Sequence, residues 1–241
     1  MNLWQAWREQ DLGPVVALFT AAAAYCAYYY GTRAQFLLHR AQRRGDDVAD
    51  AQLAAWTWQR VGGAFFLGVV PTLVALFALG RDAKTLGLGA APFGHTLAFA
   101  GATYAALAPL LFLTARTPAH QARYPEIRLP VWSPAVVWRN VWTWVLYLVA
   151  YELFFRGFVL GTMIDAFGVW PGIAVMTALY VLVHLPKGAG ETVGCFLMGI
   201  VFSWMTLETG AIWAAVLTHI GIALSSDFFT VRASATMRFS R

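Results

Sequence analysis

Seven apolar runs separated by short polar or Gly/Pro-containing segments set the pattern of this 241-residue chain. They fall at about residues 14–30, 61–79, 95–114, 145–166, 169–185, 192–207 and 211–229. An apolar stretch of ~18 or more residues reads as a spanning helix, because ~20 residues at 1.5 Å rise cross a hydrocarbon core of ~30 Å. No stretch shows the ten-residue alternation of barrel strands, so the spans are helices that satisfy their own backbone groups. The expected fold is all-α, a polytopic bundle of seven to eight transmembrane helices forming one integral-membrane domain over residues 1–241. The eighth helix would come from residues 1–13, where Trp4 and Trp7 suit the interface, or from the Trp-rich stretch 131–144, read as an interfacial segment.

Composition agrees with the pattern. Hydrophobic residues make up 59% of the chain and charged ones 12%, with a mean hydropathy of +0.59. The formal charge of +5 does not point to nucleic acid, because the arginines sit mostly in loops between spans. Strict alternation puts the loop 31–60 (Arg33, Arg40, Arg43, Arg44), the loop with Arg116, Arg123 and Arg128, Lys187, and the tail with Arg232, Arg238 and Arg241 on one side. The positive-inside rule makes that side cytoplasmic and the N-terminus external. No cleavable signal pattern precedes the first run. Cys26 and Cys195 lie in apolar runs without metal-type spacing and read as small buried hydrophobes.

Charges inside the runs carry the chemistry. Glu152 and Arg156 are four residues apart on one helix face. Tyr180 and His184 are likewise one turn apart, and His219 lies in the middle of the last run. Ionisable groups in hydrocarbon cost several kcal/mol, so they usually pair and often mark function. Each has a plain structural reading as well: a self-neutralising ion pair, or a histidine bonded to a backbone carbonyl. In the seven-span arrangement Glu152 lies ~10 Å inside the cytoplasmic face, His184 ~2–5 Å from it and His219 near the midplane. One cavity could hold all of them. Asp227 falls on the rim of a site centred on His219 or belongs to another pair.

The three motifs Tyr151-Glu152-x-x-x-Arg156, Tyr180-x-x-x-His184 and His219-x-x-x-Ala223, in this order on apolar helices, resemble the CPBP family of intramembrane proteases. This is the CAAX-processing and bacteriocin-immunity group, whose pattern is Glu-Glu-x-x-x-Arg, Phe-x-x-x-His and His-x-x-x-Asn or Asp. The likeness covers about residues 146–227. Tyr151 stands where the family has its first Glu, and Ala223 where it has Asn.

The resemblance implies a glutamate-dependent endopeptidase of a bacterial inner (plasma) membrane. Its substrate would be a membrane-embedded or lipid-modified peptide or protein. Glu152, or Glu191 in its place, would activate water with His184. His219 would stabilise the oxyanion and Arg156 would hold Glu152. Tyr151, Tyr180, Glu191 and Asp227 are additional candidates. No cofactor is expected. Two His and a carboxylate are a common zinc set, but the His-Glu-x-x-His helix of soluble metalloproteases is absent. The rival reading, favoured by the missing first Glu, is a catalytically inactive membrane chaperone or immunity factor of the same fold. A third, a small proton-relay transporter, lacks the inverted repeats expected of it.

Overall fold

The computed structural model describes residues 8–240. Its helices are α1 (Leu12–Gly31), α2 (Ala34–Arg44), α3 (Val48–Gly63), α4 (Val70–Phe77), α5 (Phe93–Thr114), α6 (Pro118–Gln121), α7 (Pro134–Glu152), α8 (Gly161–Phe167), α9 (Val169–Leu182), α10 (Ala189–Thr209) and α11 (Trp213–Ala233). Two π-helical segments, Ala64–Val69 and Leu153–Leu160, join α3 to α4 and α7 to α8 without a break. Two strands, β1 (Val131–Trp132) and β2 (Arg238–Phe239), pair in parallel. The chain is an all-α helix bundle, as its pattern requires.

Each of the seven apolar runs lies in a helix, and six of these helices are long and apolar enough to cross a membrane. The seventh, α9, is apolar but has only 14 residues. Large hydrophobic side chains face outward all round, among them Phe19, Phe77, Trp170 and Val193. An integral membrane protein presents such a surface to lipid.

Two boundaries differ from the sequence reading. The second span begins at Val48 rather than near Val61, giving a continuous 30-residue helix. Asp47 caps it, accepting hydrogen bonds from the backbone N–H groups of Ala49 and Asp50, and Arg60, just before Val61, is buried inside the bundle instead of ending the helix. The Trp-rich stretch is not a separate interfacial segment either. Pro134 occupies the first helical turn behind a Ser133 cap, and the helix then runs unbroken to Phe167. No eighth crossing forms from that stretch. Trp4, Trp7 and Arg241 lie outside the described residues.

The 134–167 helix is the centre of the bundle, with 72% of its apolar window buried, whereas α5 buries 11% and lies at the periphery. The core gathers on the central helix: Tyr151, Phe154, Phe155, Phe158 and Met163 pack with Leu67, Met176, Tyr180 and Val216. Close approach depends on small residues. A Cβ on Gly68 would lie 2.8 Å from that of Ala150, and one on Gly157 would lie 2.5 Å from the carbonyl oxygen of Leu86.

The loops collect at two ends. At one end, Arg81 pairs with Asp165 at 2.6 Å, Ile212 donates its N–H to Gly87 O at 3.0 Å, and Trp213 donates to Gly89 O. At the other, Gln52 and Arg128 exchange hydrogen bonds, Arg60 reaches Glu126 and Tyr124 reaches Glu191. There β2 also lies beside β1, with Arg238 N–H donating to Pro130 O at 3.0 Å. The loops expected on one side by charge are therefore on one side in space.

That grouping predicts a labelling pattern. Single cysteines at Lys187, Ala122 and Thr236 should share one accessibility, and a cysteine at Lys84 the opposite one. An impermeant thiol reagent added to intact cells should modify only Lys84→Cys. Modification of Lys187→Cys from outside would reverse the orientation, and modification of both would refute the two-ended arrangement.

Candidate active site

Glu152 ends α7 and Arg156 lies in the π segment that follows, where the widened turn keeps residues four apart on one side. Wide turns of this type occur often at functional sites. Arg156 Nη1 sits 3.0 Å from Glu152 Oε2, and both side chains are fully buried. The other carboxylate oxygen, Oε1, takes a 2.5 Å hydrogen bond from His219 Nδ1 on α11. A carboxylate in hydrocarbon is tolerable when its charge is balanced and its lone pairs used; here the guanidinium balances the charge, the imidazole bonds Oε1, and Oε2 has no hydrogen-bond donor among the described residues.

Arg156 is held by more than charge. Its guanidinium carbon lies 4.2 Å from the centre of the Tyr180 ring and 5.2 Å from that of Phe202, and Nη2 reaches Met198 O at 3.5 Å. Cation–π contact of a desolvated guanidinium is worth about 2 kcal/mol. Helices α9 and α10 are thus tied to the Glu152 helix through one side chain.

His184 follows α9 in a turn, and its Nδ1 is 2.7 Å from Tyr180 O. A carbonyl oxygen can only accept, so Nδ1 carries the proton and Nε2 of the neutral ring is a lone pair. At His219, Nδ1 likewise carries a proton, because it faces a carboxylate. Neither Nε2 is hydrogen-bonded among the described residues. His184 is 4% exposed and the His219 side chain 17%, while Glu152 is at 0%, so His219 is the member of the pair that a reactant can touch.

Tyr151 lies edge-on to both imidazoles. Its ring centre is 6.0 Å from that of His184 and 5.7 Å from that of His219. Its hydroxyl makes no hydrogen bond to a described residue. Glu152, Arg156, His184 and His219 therefore come together from two helices and one turn, with Tyr151 and Tyr180 among them. The imidazole hydrogen-bonded to Glu152 is that of His219 on α11.

Glu191 and Asp227 go elsewhere. Glu191 is bound by Lys187 at 3.1 Å and by the Tyr124 hydroxyl at 2.9 Å. Burial pushes the Tyr124 phenol up, so it remains a donor. Asp227 accepts from Trp144 Nε1 at 2.7 Å and Asn140 Nδ2 at 3.0 Å. Arg60 completes this second buried cluster: it bonds Asn140 Oδ1 and Thr143 Oγ1 at 2.9 Å each, pairs with Glu126, and lies 3.9 Å over the Trp144 ring. The sequence reading missed Arg60, Asn140 and Glu126. The one available signal was Asn140 on the same apolar-Trp stretch as Trp144, two turns and more before Glu152.

Among the described residues no three His, Cys, Asp or Glu side chains gather to hold a metal ion.

A scan against family models matches residues 131–225 to the Rce1-like family, type II CAAX prenyl endopeptidase Rce1-like. The match runs from β1 into α11 and contains all three motifs. No curated protein and no solved structure matches the chain.

The Arg60 cluster makes a stability prediction. Arg60→Ala removes the cation from a buried set containing Asp227 and should destabilise the protein by about 3–5 kcal/mol. Denaturant titration in mild detergent, read by tryptophan fluorescence, measures it; a loss under ~1 kcal/mol would show that the cluster is not maintained by Arg60.

Proposed function

We propose, for a chain whose C-terminal core belongs to the CAAX-protease (CPBP) family of membrane endopeptidases, a peptide hydrolase in which Glu152 acts through His219. The substrate is a membrane-associated, prenylated or otherwise lipid-modified peptide. The observation that carries this reading is the 2.5 Å bond between His219 Nδ1 and Glu152 Oε1. A carboxylate that fixes an imidazole tautomer leaves the opposite nitrogen free to take a proton and then stabilises the imidazolium that results.

In this mechanism His219 Nε2 takes a proton from water, and the hydroxide adds to the scissile carbonyl carbon. The tetrahedral intermediate then collapses as His219 returns the proton to the leaving amine. His184, its tautomer set by the Tyr180 carbonyl, offers a second acceptor to hold the water. In this reading the Tyr151 hydroxyl, on a ring edge-on to both imidazoles, is the donor to the oxyanion. Tyr151 thus supplies a donor where the family has a Glu, and the base is His219 rather than a second carboxylate. Arg156 holds Glu152 in place. The match to a family of endopeptidases favours the catalyst over an inert chaperone.

Cleavage of a quenched, prenylated C-terminal CAAX peptide by purified protein in proteoliposomes tests the roles. Glu152→Gln and His219→Ala should each lower kcat by roughly 10³–10⁴-fold. His184→Ala should impair cleavage severely, and Tyr151→Phe should lower kcat by about 10²-fold. Glu191→Gln should leave kcat unchanged, since that side chain serves Lys187 and Tyr124. Thermal melts establish that each variant folds. Activity that survives both Glu152→Gln and His184→Ala would dispose of the mechanism, and loss with a chelator would indicate a metalloprotease. No cleavage by the native chain, with activity appearing on Tyr151→Glu, would support the inactive alternative.

A further inference from the structure

A second feature lies outside the cluster around Glu152. At the basic end, α5 and α11 stop side by side, and between them is a cavity of about 470 Å³ lined by Phe112, Arg116, Phe229, Arg232 and Ala233. The two phenylalanine rings meet edge to face at 5.6 Å and form its inner wall. Arg116 lies over the Phe112 ring, its guanidinium carbon 4.4 Å from the centre. Among the described residues neither Arg116 nor Arg232 has a carboxylate partner, although Arg60, Arg81 and Arg156 all do.

We propose that this cavity binds the headgroup of an anionic phospholipid, with both guanidiniums on the phosphate and the upper acyl chain against Phe112 and Phe229. Two planar forks presenting N–H donors suit a phosphate, and arginine is the residue of choice for bidentate contact with it. A free inorganic phosphate would satisfy the arginines equally well. It would leave the phenylalanine wall exposed to water, whereas a phospholipid covers both. Placement agrees: α5 is the most lipid-exposed of the spans, and both arginines sit at the ends of spans, where headgroups lie. The arginine-rich end is the one that the positive-inside rule assigns to the cytoplasmic leaflet, where anionic lipid is concentrated.

The location also connects the lipid to α11. Tyr104 on α5 shares a 2.6 Å hydrogen bond with Ser225 on α11, and its ring lies where a Cβ on Gly221 would be, at 2.9 Å. A phospholipid bridging the ends of α5 and α11 therefore steadies the helix that carries His219.

Native mass spectrometry of the full chain, titrated with phosphatidylglycerol or phosphatidylcholine in detergent, tests the site. The unaltered protein should retain phosphatidylglycerol in preference to phosphatidylcholine. Arg116→Gln with Arg232→Gln should weaken that retention about 10- to 30-fold, as expected for two cations near an anionic headgroup. Arg40→Gln with Arg43→Gln, which removes two exposed arginines from the same end, should not. Millimolar inorganic phosphate should fail to displace the lipid. If the double variant does not fold, Arg116→Gln and Arg232→Gln are read singly, each with about fivefold weakening. Unchanged retention in the Arg116/Arg232 variants would overturn the site. Equal loss in the Arg40/Arg43 variant would reduce it to a diffuse basic face, and displacement by phosphate would reassign it to a free anion. None of these readouts depends on peptidase activity.

Discussion

The rest of the structure is organised by one constraint: a carboxylate buried in hydrocarbon must be neutralised and hydrogen-bonded within the protein. Glu152 meets it with Arg156 on its own helix and His219 on α11. Arg156, equally buried, is in turn seated on Tyr180 of α9 and Phe202 of α10. Four helices are therefore fixed relative to one another by the requirements of two charges. Dispersion alone would not select this register, because lipid tails are as apolar as the helix surfaces they would replace.

The Asp227 cluster shows the same logic one level closer to the basic end. Trp144 and Asn140 precede Glu152 on the central helix by about two and three turns, and both face Asp227 on α11. The central helix thus meets α11 twice through a carboxylate, once from each partner: Glu152 to His219, and Asp227 to Trp144 and Asn140. Tyr147 lies between the two levels, its ring 6.0 Å from Trp144 and 5.5 Å from Tyr151, and its hydroxyl is bonded to Tyr28 on α1. An aromatic column thus stands between the two polar sets.

Much of this was legible in the chain, and the rest was hidden for physical reasons. Apolar run lengths report spans directly, because the bilayer imposes both length and backbone satisfaction, so all seven runs appear as helix. Charges within runs are costly enough to be conspicuous, which is why Glu152, Arg156, His184 and His219 could be named together. Which histidine faces Glu152 depends on helix rotation. Rotation is set by contacts such as Gly157 against Leu86 and by the π turn after Glu152, and neither leaves a periodic signal in an apolar run. Arg60 escaped notice because it stood at a presumed span boundary, where an arginine needs no explanation. Glu191 looked like a spare carboxylate by its nearness to His184 in sequence; Lys187, one turn before it, claims it instead.

The brevity of α9 bears on the membrane itself. At 14 residues it is about 21 Å long, some 9 Å less than the hydrocarbon thickness. A span too short for its bilayer is accommodated by local thinning or by polar flanking groups drawn inward. Here the flank is the turn carrying His184 and Lys187, so a bilayer of ordinary thickness would draw that polar turn inward. Bilayer thickness would then set the length of the apolar path between solvent and His184, longer in a thicker membrane and shorter in a thinner one.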